Sequence, residues 1–188
     1  MKTIIWDVDD VLNNLMEDWF EKHWRLIHHE CNIEYGDLVE NPPDKILGTT
    51  LYEYRKSLDE FRNINGTQFQ PTPEVLDWFK TNGSKYRHVA LTAVPISLAS
   101  ISAAWVYKHF GNWIRSFNIV PSPRDTDPDF IYDLSKKDFL SWFSKGDIFI
   151  DDNLINIKDA GTIGIKTLIF PRPWNKGGLN LTDFFKQL

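Results

Sequence analysis

Two clusters of aspartates each follow a short apolar segment of the chain. Asp7, Asp9 and Asp10 come after one apolar run, and Asp151 and Asp152 come after a second. Carboxylates this close repel one another unless a cation or a proton intervenes. Hard oxygen ligands suit Mg²⁺, which keeps several waters and also accepts phosphate oxygens. The two clusters therefore predict a magnesium site that acts on a phosphorylated substrate.

Polar groups that could bind phosphate lie between the two acidic clusters in the chain. Thr92 follows the apolar pair Ala90-Leu91, and its hydroxyl, with the amide of Ala93, could hold a phosphate oxygen. A proline-rich loop is predicted at 121–129, and Ser135 could cap a helix that runs to about Lys145. Lys136 and Lys137 follow this serine, and an ammonium there could balance the acids and the phosphate. The sequence does not choose between the two lysines, since at least one of them has the ordinary role of a solvated helix residue.

Short apolar segments alternate with helical segments along most of the chain. Strands are predicted at residues 3–6, 88–91, 117–120, 147–150 and 166–170. Strands that alternate with helices imply right-handed crossovers and a parallel sheet covered on both faces. We therefore predict an α/β fold with a doubly wound, Rossmann-like, five-stranded parallel sheet. Both acidic clusters then fall at the carboxyl ends of strands, where open α/β sheets bind their ligands.

The segment 14–71 differs from the rest of the chain. It has helical patterns over 14–29 and 51–62, with a polar stretch between them that glycine and proline interrupt. We predict a small helical cap at 14–71, inserted after the first strand, and an α/β core formed by 1–13 and 72–188. Four aromatic residues of the insertion could stack on a substrate base, although packing inside the insertion is the simpler role: Trp19, Trp24, Tyr52 and Tyr54.

Composition excludes several classes of protein. The chain has 188 residues and a net charge of −5, whereas a general nucleic-acid binder carries a basic face. The single cysteine, Cys31, cannot form an internal disulfide. No apolar run approaches the ~18–20 residues of a membrane span. We expect a cytoplasmic protein with a small phosphorylated substrate and with neither nucleic-acid polymers nor membranes as partners; the sequence leaves its oligomeric state open.

The order of these motifs resembles that of the haloacid dehalogenase superfamily. The matching features are a strand followed by Asp7-x-Asp9, a strand with Thr92, Lys136 or Lys137, and a strand followed by Asp151-Asp152. The resemblance covers about residues 1–13 and 73–170. The segment 14–71 falls where this superfamily inserts its type 1 caps.

The resemblance implies the mechanism of a phosphatase. Asp7 would attack phosphorus and form an aspartyl-phosphate, while Asp9 would protonate the leaving oxygen and then activate the hydrolytic water. Thr92 and one lysine would bind the phosphoryl group, and Asp7, the backbone carbonyl of Asp9 and an acid of the pair Asp151-Asp152 would hold Mg²⁺. A carboxylate is a weak nucleophile toward a dianionic ester, so neutralising charges must be present before it can attack.

Smaller features are similar to 5′-nucleotidases of the deoxy type: the segments 91–95, 150–153 and 170–175. A nucleoside monophosphate is therefore one expected substrate; a sugar phosphate or another small phosphometabolite remains an alternative, and a phosphomutase would keep the same motifs. A non-enzymatic phospho-receiver module is disfavoured because its acidic pair precedes its lysine. Asp10 stands where many relatives have a small residue, and the sequence gives no reason for its charge.

Overall fold

Five parallel strands form one sheet in the order β3-β2-β1-β4-β5. The structure is a computed structural model that describes residues 1–124, 127–175 and 180–188. The strands are β1 (Thr3–Trp6), β2 (Arg87–Val94), β3 (Ile114–Pro121), β4 (Ile148–Asp151) and β5 (Lys166–Ile169). From the central β1 the chain moves outward to β3 and then crosses to β4 and β5. The predicted doubly wound α/β class is confirmed.

Helices connect the strands. They are α1 (Leu15–Trp19), α2 (Arg25–Ile27), α3 (Leu51–Asn65), α4 (Pro73–Asn82), α5 (Ala99–Phe110), α6 (Lys136–Trp142), α7 (Leu154–Gly161) and α8 (Leu181–Phe185). A π-helical turn, Phe20–Trp24, joins α1 to α2. Thr50 and Glu53 form a capping box that fixes the start of α3. Within the described ranges, no helix has both the length and the apolar character needed to cross a bilayer.

Strands β1 and β4 are buried on both faces, which explains their short apolar sequences. Ile4 and Trp6 belong to one apolar cluster, and Ile5, which points the opposite way, belongs to the other. Helices α4, α5 and α8 contribute to the first cluster, and α6 and α7 contribute to the second. Because both layers hold β1 and β4 in place, the loops that follow these two strands have a rigid base.

Several element boundaries differ from those predicted. Strand β2 continues to Val94 rather than ending at Leu91, because its last residues pair with an equally long β3. Thr92 and Ala93 therefore lie inside a strand and not in a turn after it. The helix predicted to reach Lys145 ends at Trp142, and α8 was not predicted. The predicted proline-rich loop 121–129 includes residues 125 and 126, which lie outside the described residues.

The segment between β1 and α4 has helices at both ends and an irregular middle. One apolar cluster runs from the sheet into this segment and includes Trp19, Trp24 and Tyr54 together with Trp6 of β1. The inserted helices therefore share one hydrophobic core with the sheet. The division into a core and a cap stays a prediction.

Candidate active site

Three buried carboxylates meet at the carboxyl edge of the sheet. Asp7 directly follows β1 and Asp151 ends β4, and the register of these neighbouring strands pairs Trp6 with Ile150. Among the described residues, Asp7, Asp151 and Asp152 form a group that could hold a metal ion, with ligand oxygens within 4.8 Å of one another. The convergence at one edge that the sequence predicted for these acids is therefore present.

Lys136 brings an ammonium group against these acids. Its Nζ lies 2.7 Å from Asp7 Oδ1 and 2.7 Å from Asp151 Oδ2, and its side chain is only 3% exposed. Lys136 is the first residue of α6, whose start is capped by Ser135. Lys137 is half-buried and is not among the described residues that line the cavity beside Asp7. The structure thus brings Lys136, and not Lys137, to the acids.

Burial and mutual repulsion raise the pKa values of Asp7 and Asp152. Burial raises the pKa of Asp7 well above its usual range; Lys136 opposes this effect, and Asp151 and Asp152 add to it. Burial, together with repulsion from Asp151, raises the pKa of Asp152 to about 8. The pKa of Lys136 is raised despite its burial, because Asp151 and Asp7 outweigh the desolvation. One ammonium facing three carboxylates leaves excess negative charge, which a divalent cation would neutralise.

The hydrogen bonds of the three acids leave one oxygen of Asp7 and one oxygen of Asp152 without a contact from the described residues. Both oxygens of Asp151 accept hydrogen bonds, from Lys136 Nζ, Asn156 Nδ2 and the Asn153 backbone N–H. Contacts of the described residues with the Asp7 side chain fall on Oδ1, and those with the Asp152 side chain fall on Oδ2. Asp7 Oδ2 and Asp152 Oδ1 accept no hydrogen bond from the described residues and are therefore available to a metal ion. Carboxylate oxygens are ligands that Mg²⁺ accepts.

A tryptophan from the end of the chain holds Asp152. Trp174 Nε1 donates to Asp152 Oδ2 at 2.7 Å, and Asn175 Nδ2 donates to the Asp152 carbonyl at 2.9 Å. Partners of this kind orient a ligand carboxylate and fix which oxygen it presents. The sequence pattern did not identify Trp174 as part of the site, since its separation from Asp152 in the chain conceals the contact.

The Asp9 carboxylate is bound by residues outside the three grouped acids. Asp9 Oδ2 accepts a hydrogen bond from Arg62 Nη2 at 2.7 Å, and Oδ1 accepts one from Asn13 Nδ2 at 3.1 Å. Asp9 and Asp7 nevertheless line the same cavity. Arg62 was also missed by the sequence pattern, because it lies 53 residues away on α3.

Asp10 has a structural role that the sequence did not reveal. It is buried in a left-handed backbone conformation with φ of 59°, and its Oδ1 accepts the Met16 backbone N–H at 2.9 Å. This bond satisfies a free donor in the first turn of α1. Arg172 donates to the Asp10 carbonyl at 2.6 Å and to Asn14 Oδ1 at 2.7 Å, which ties the turn to the end of the chain. Burial, partly opposed by Arg172, raises the pKa of Asp10 to about 7.

A cavity of about 140 Å³ opens beside Asp7. Thr92 and Ala93 of β2 line it together with Lys136, so the predicted phosphate-binding groups of β2 and α6 face one space. Of the four aromatic residues considered for base stacking, only Tyr54 is among the described residues lining this cavity. Trp19 and Trp24 are buried in the apolar cluster, and Tyr52 is 66% exposed.

No protein-family model matches the chain, and no curated protein matches it significantly. Several solved structures share its fold. A haloacid dehalogenase-like hydrolase from Streptococcus pneumoniae has a TM-score of 0.59 at 14% identity, with 99% of this chain and 90% of that chain covered. A candidate β-phosphoglucomutase from Thermotoga maritima has a TM-score of 0.53 at 15% identity, with 100% and 91% covered.

A third structure, a haloacid dehalogenase family enzyme from Bacteroides thetaiotaomicron in complex with magnesium and inorganic phosphate, has a TM-score of 0.49 at 16% identity, with 98% and 99% covered. Identities this low establish similarity of fold alone. The five-stranded α/β fold of this chain is that of haloacid dehalogenase-like hydrolases.

Proposed function

We propose that this protein is a magnesium-dependent phosphomonoester hydrolase that forms an aspartyl-phosphate on Asp7. One observation carries the proposal: Asp7 is buried with Lys136 at 2.7 Å, beside Asp151 and Asp152, in a cavity that Thr92 also lines. A carboxylate nucleophile, a cation for the phosphoryl oxygens and an acidic metal site are thus gathered at the carboxyl edge of a parallel sheet. Such an edge is where folds of this class bind ligands.

The residues of this chain supply the nucleophile and the proton transfers that hydrolysis requires. Lys136 Nζ and the Thr92 hydroxyl bind the phosphoryl oxygens, and Asp7 attacks phosphorus as the bond to the leaving oxygen breaks. Asp9 donates a proton to that oxygen, so the product leaves as an alcohol. Asp9 then accepts a proton from water as the water oxygen attacks phosphorus, which releases phosphate and restores the Asp7 carboxylate.

Magnesium would be held by Asp7, Asp152 and the backbone carbonyl of Asp9, and when bound it would neutralise charge on the phosphoryl group. The residues fit this ion because the ligands are all oxygens and the group has excess negative charge. Asp151 already accepts hydrogen bonds from Lys136 and Asn156. It would orient Lys136 and balance the positive charge of this lysine. The sequence analysis assigned the metal to either acid of the pair Asp151-Asp152, and we propose Asp152.

The leaving group is the part of the substrate that the inserted segment 14–71 would select. A nucleoside monophosphate is supported by Tyr54, an aromatic ring on the cavity wall, and by the segments that are similar to deoxynucleotidases. A sugar phosphate, processed by a phosphatase or a phosphomutase, is the second candidate, supported by the fold shared with the Thermotoga protein. A cytoplasmic location is consistent with either substrate.

A panel of phosphomonoesters with Mg²⁺, scored by phosphate release, tests the proposal. We expect turnover of at least one ester, loss of turnover with excess chelator, and loss of several orders of magnitude in Asp7→Asn. Asp138→Asn, on the exposed side of α6, is the matched control and should keep the wild-type rate. Full turnover in chelator, or in Asp7→Asn, would show that the proposed mechanism is wrong.

A further inference from the structure

Arg62 is a cation from the inserted segment that reaches the active-site cavity. Its side chain is 12% exposed, its Nη2 lies 2.7 Å from Asp9 Oδ2, and it lines the same cavity as Asp7. Its Nε atom is buried and has no hydrogen-bond partner among the described residues. Burying such a donor is costly when nothing accepts its proton. Because Nε is closed off from solvent, a ligand in the cavity could reach the guanidinium only through its Nη donors.

Two further charged residues, Asp59 and Arg124, restrain the position of Arg62. Asp59, one helical turn earlier on α3, lies 3.3 Å from Arg62 Nη1. Asp59 is itself held by Arg124, which follows β3 and donates from Nε at 2.6 Å and from Nη2 at 3.0 Å. A two-pronged contact of this kind between a guanidinium and a carboxylate restrains both partners. Arg62 is thus a pre-positioned cation.

Two cations are among the described residues that line the cavity. They contact acids that have different roles in the proposed reaction. Lys136 contacts Asp7 and Asp151, at the end where phosphoryl transfer would occur. Arg62 contacts Asp9, the residue proposed to protonate the leaving oxygen. A group bonded to that oxygen must therefore approach Arg62. The two ends of the cavity can bind two anionic groups of one substrate.

We propose that Arg62 is a specificity-determining residue that binds an anionic substituent on the leaving group, so that the preferred substrates are phosphomonoesters whose alcohol carries a carboxylate or a second phosphoryl group. This inference rests on the proposed phosphatase function. The anion takes over the Nη2–H that Asp9 holds in the structure. Asp9 is then released to face the leaving oxygen.

A pair of matched esters isolates this interaction. Carboxymethyl phosphate carries a carboxylate on its leaving group, and 2-hydroxyethyl phosphate carries a neutral hydroxyl in the same place. We expect the wild type to prefer the carboxylate, and Arg62→Gln to raise KM for carboxymethyl phosphate about 10- to 100-fold more than for the neutral ester, the range for a charge-assisted hydrogen bond. Arg62→Lys should be intermediate, because it keeps the charge but loses the planar fork.

Arg55→Gln, on the exposed side of the same helix, is the control and should leave the preference unchanged. Thermal melts establish whether each variant is folded. A wild type without preference for the carboxylate, or an Arg62→Gln variant with the same preference as the wild type, would overturn the inference.

A binding experiment separates this inference from the proposed function. Calorimetry with Mg²⁺ compares 3-phosphonopropionate with 3-hydroxypropylphosphonate, analogues in which a methylene replaces the bridging oxygen and which cannot be hydrolysed. Tighter binding of the carboxylate that Arg62→Gln abolishes would support the role of Arg62 even if no ester were turned over, in which case the phosphatase proposal alone would fail. Equal binding of the two analogues by the wild type would refute the role of Arg62 even if both esters were hydrolysed.

Discussion

The charge imbalance of the active site predicts how stability depends on pH and on metal. A carboxyl whose pKa is higher in the folded state than in the unfolded state stabilises the fold at low pH, and this stability is lost as pH rises through the folded pKa. Asp152 has this behaviour, since its pKa is raised from 3.8 to about 8. Metal-free protein should therefore become less stable between pH 6.5 and pH 8.

The size of the effect follows from the linkage between pKa and stability. Over this interval unfolded Asp152 is ionised while folded Asp152 is still largely protonated, so each pH unit removes about 1.4 kcal/mol and the interval removes about 2 kcal/mol. Asp10, with a pKa of about 7, adds a loss of the same sign in the first part of the interval. His88, whose pKa burial lowers, has the opposite slope, and this slope fades above pH 6.5 as the imidazole of the unfolded chain loses its proton.

Magnesium should reduce this loss. The metal binds ionised carboxylates, so its stabilising effect should be greater at pH 8 than at pH 6.5. Urea unfolding followed by tryptophan fluorescence, with chelator and with excess Mg²⁺, measures both quantities. Asp152→Asn is the matched variant and should have a smaller pH slope, while Asp7 and Asp10, whose pKa values are also raised, retain their part of it. Equal slopes with chelator and with Mg²⁺, or an unchanged slope in Asp152→Asn, would refute the electrostatic reasoning.

Three further predictions concern single side chains. Asp9→Asn should slow hydrolysis of an alkyl phosphate by ~10²–10⁴-fold but slow that of a nitrophenyl phosphate less, because nitrophenolate needs no proton; equal losses on the two substrates would exclude Asp9 as the acid. Lys136→Met should cost ~3–5 kcal/mol in urea unfolding, since it leaves buried acids unpaired, whereas Lys137→Met should cost little; similar losses in both would contradict the pairing. Trp174→Phe should weaken Mg²⁺ activation about 10-fold, measured as the Mg²⁺ concentration for half-maximal rate, and an unchanged value would mean that Trp174 does not orient Asp152.

The sequence predicted those parts of the fold and site that depend on local patterns. Apolar runs followed by acids identified β1 and β4, and the rule that parallel strands align their carboxyl ends brought Asp7 and Asp151 to one edge. The cap at Ser135 located the start of α6 but not its rotation about its axis, so Lys136 and Lys137 could not be distinguished. That choice depends on how α6 packs against the sheet.

Contacts between distant parts of the chain could not be predicted. Arg62 reaches Asp9 only because α3 packs beside α1, and no local pattern distinguishes Arg62 from other charged residues of that helix. The aromatic residues of the insertion share a related ambiguity. A helical spacing of Trp19 and Trp24 fits a buried core as well as a substrate pocket, and the structure shows them in the core.

The central claim is that Asp7 carries the phosphoryl group during turnover. Rapid acid quench of the wild-type protein mixed with Mg²⁺ and a substrate from the ester panel, followed by peptide mass spectrometry, tests it directly. We expect one added phosphoryl group on Asp7, more of it in Asp9→Asn because hydrolysis of the intermediate is slowed, and none in Asp7→Asn. Turnover without any phosphorylated peptide in Asp9→Asn, or phosphorylation at a residue other than Asp7, would contradict it.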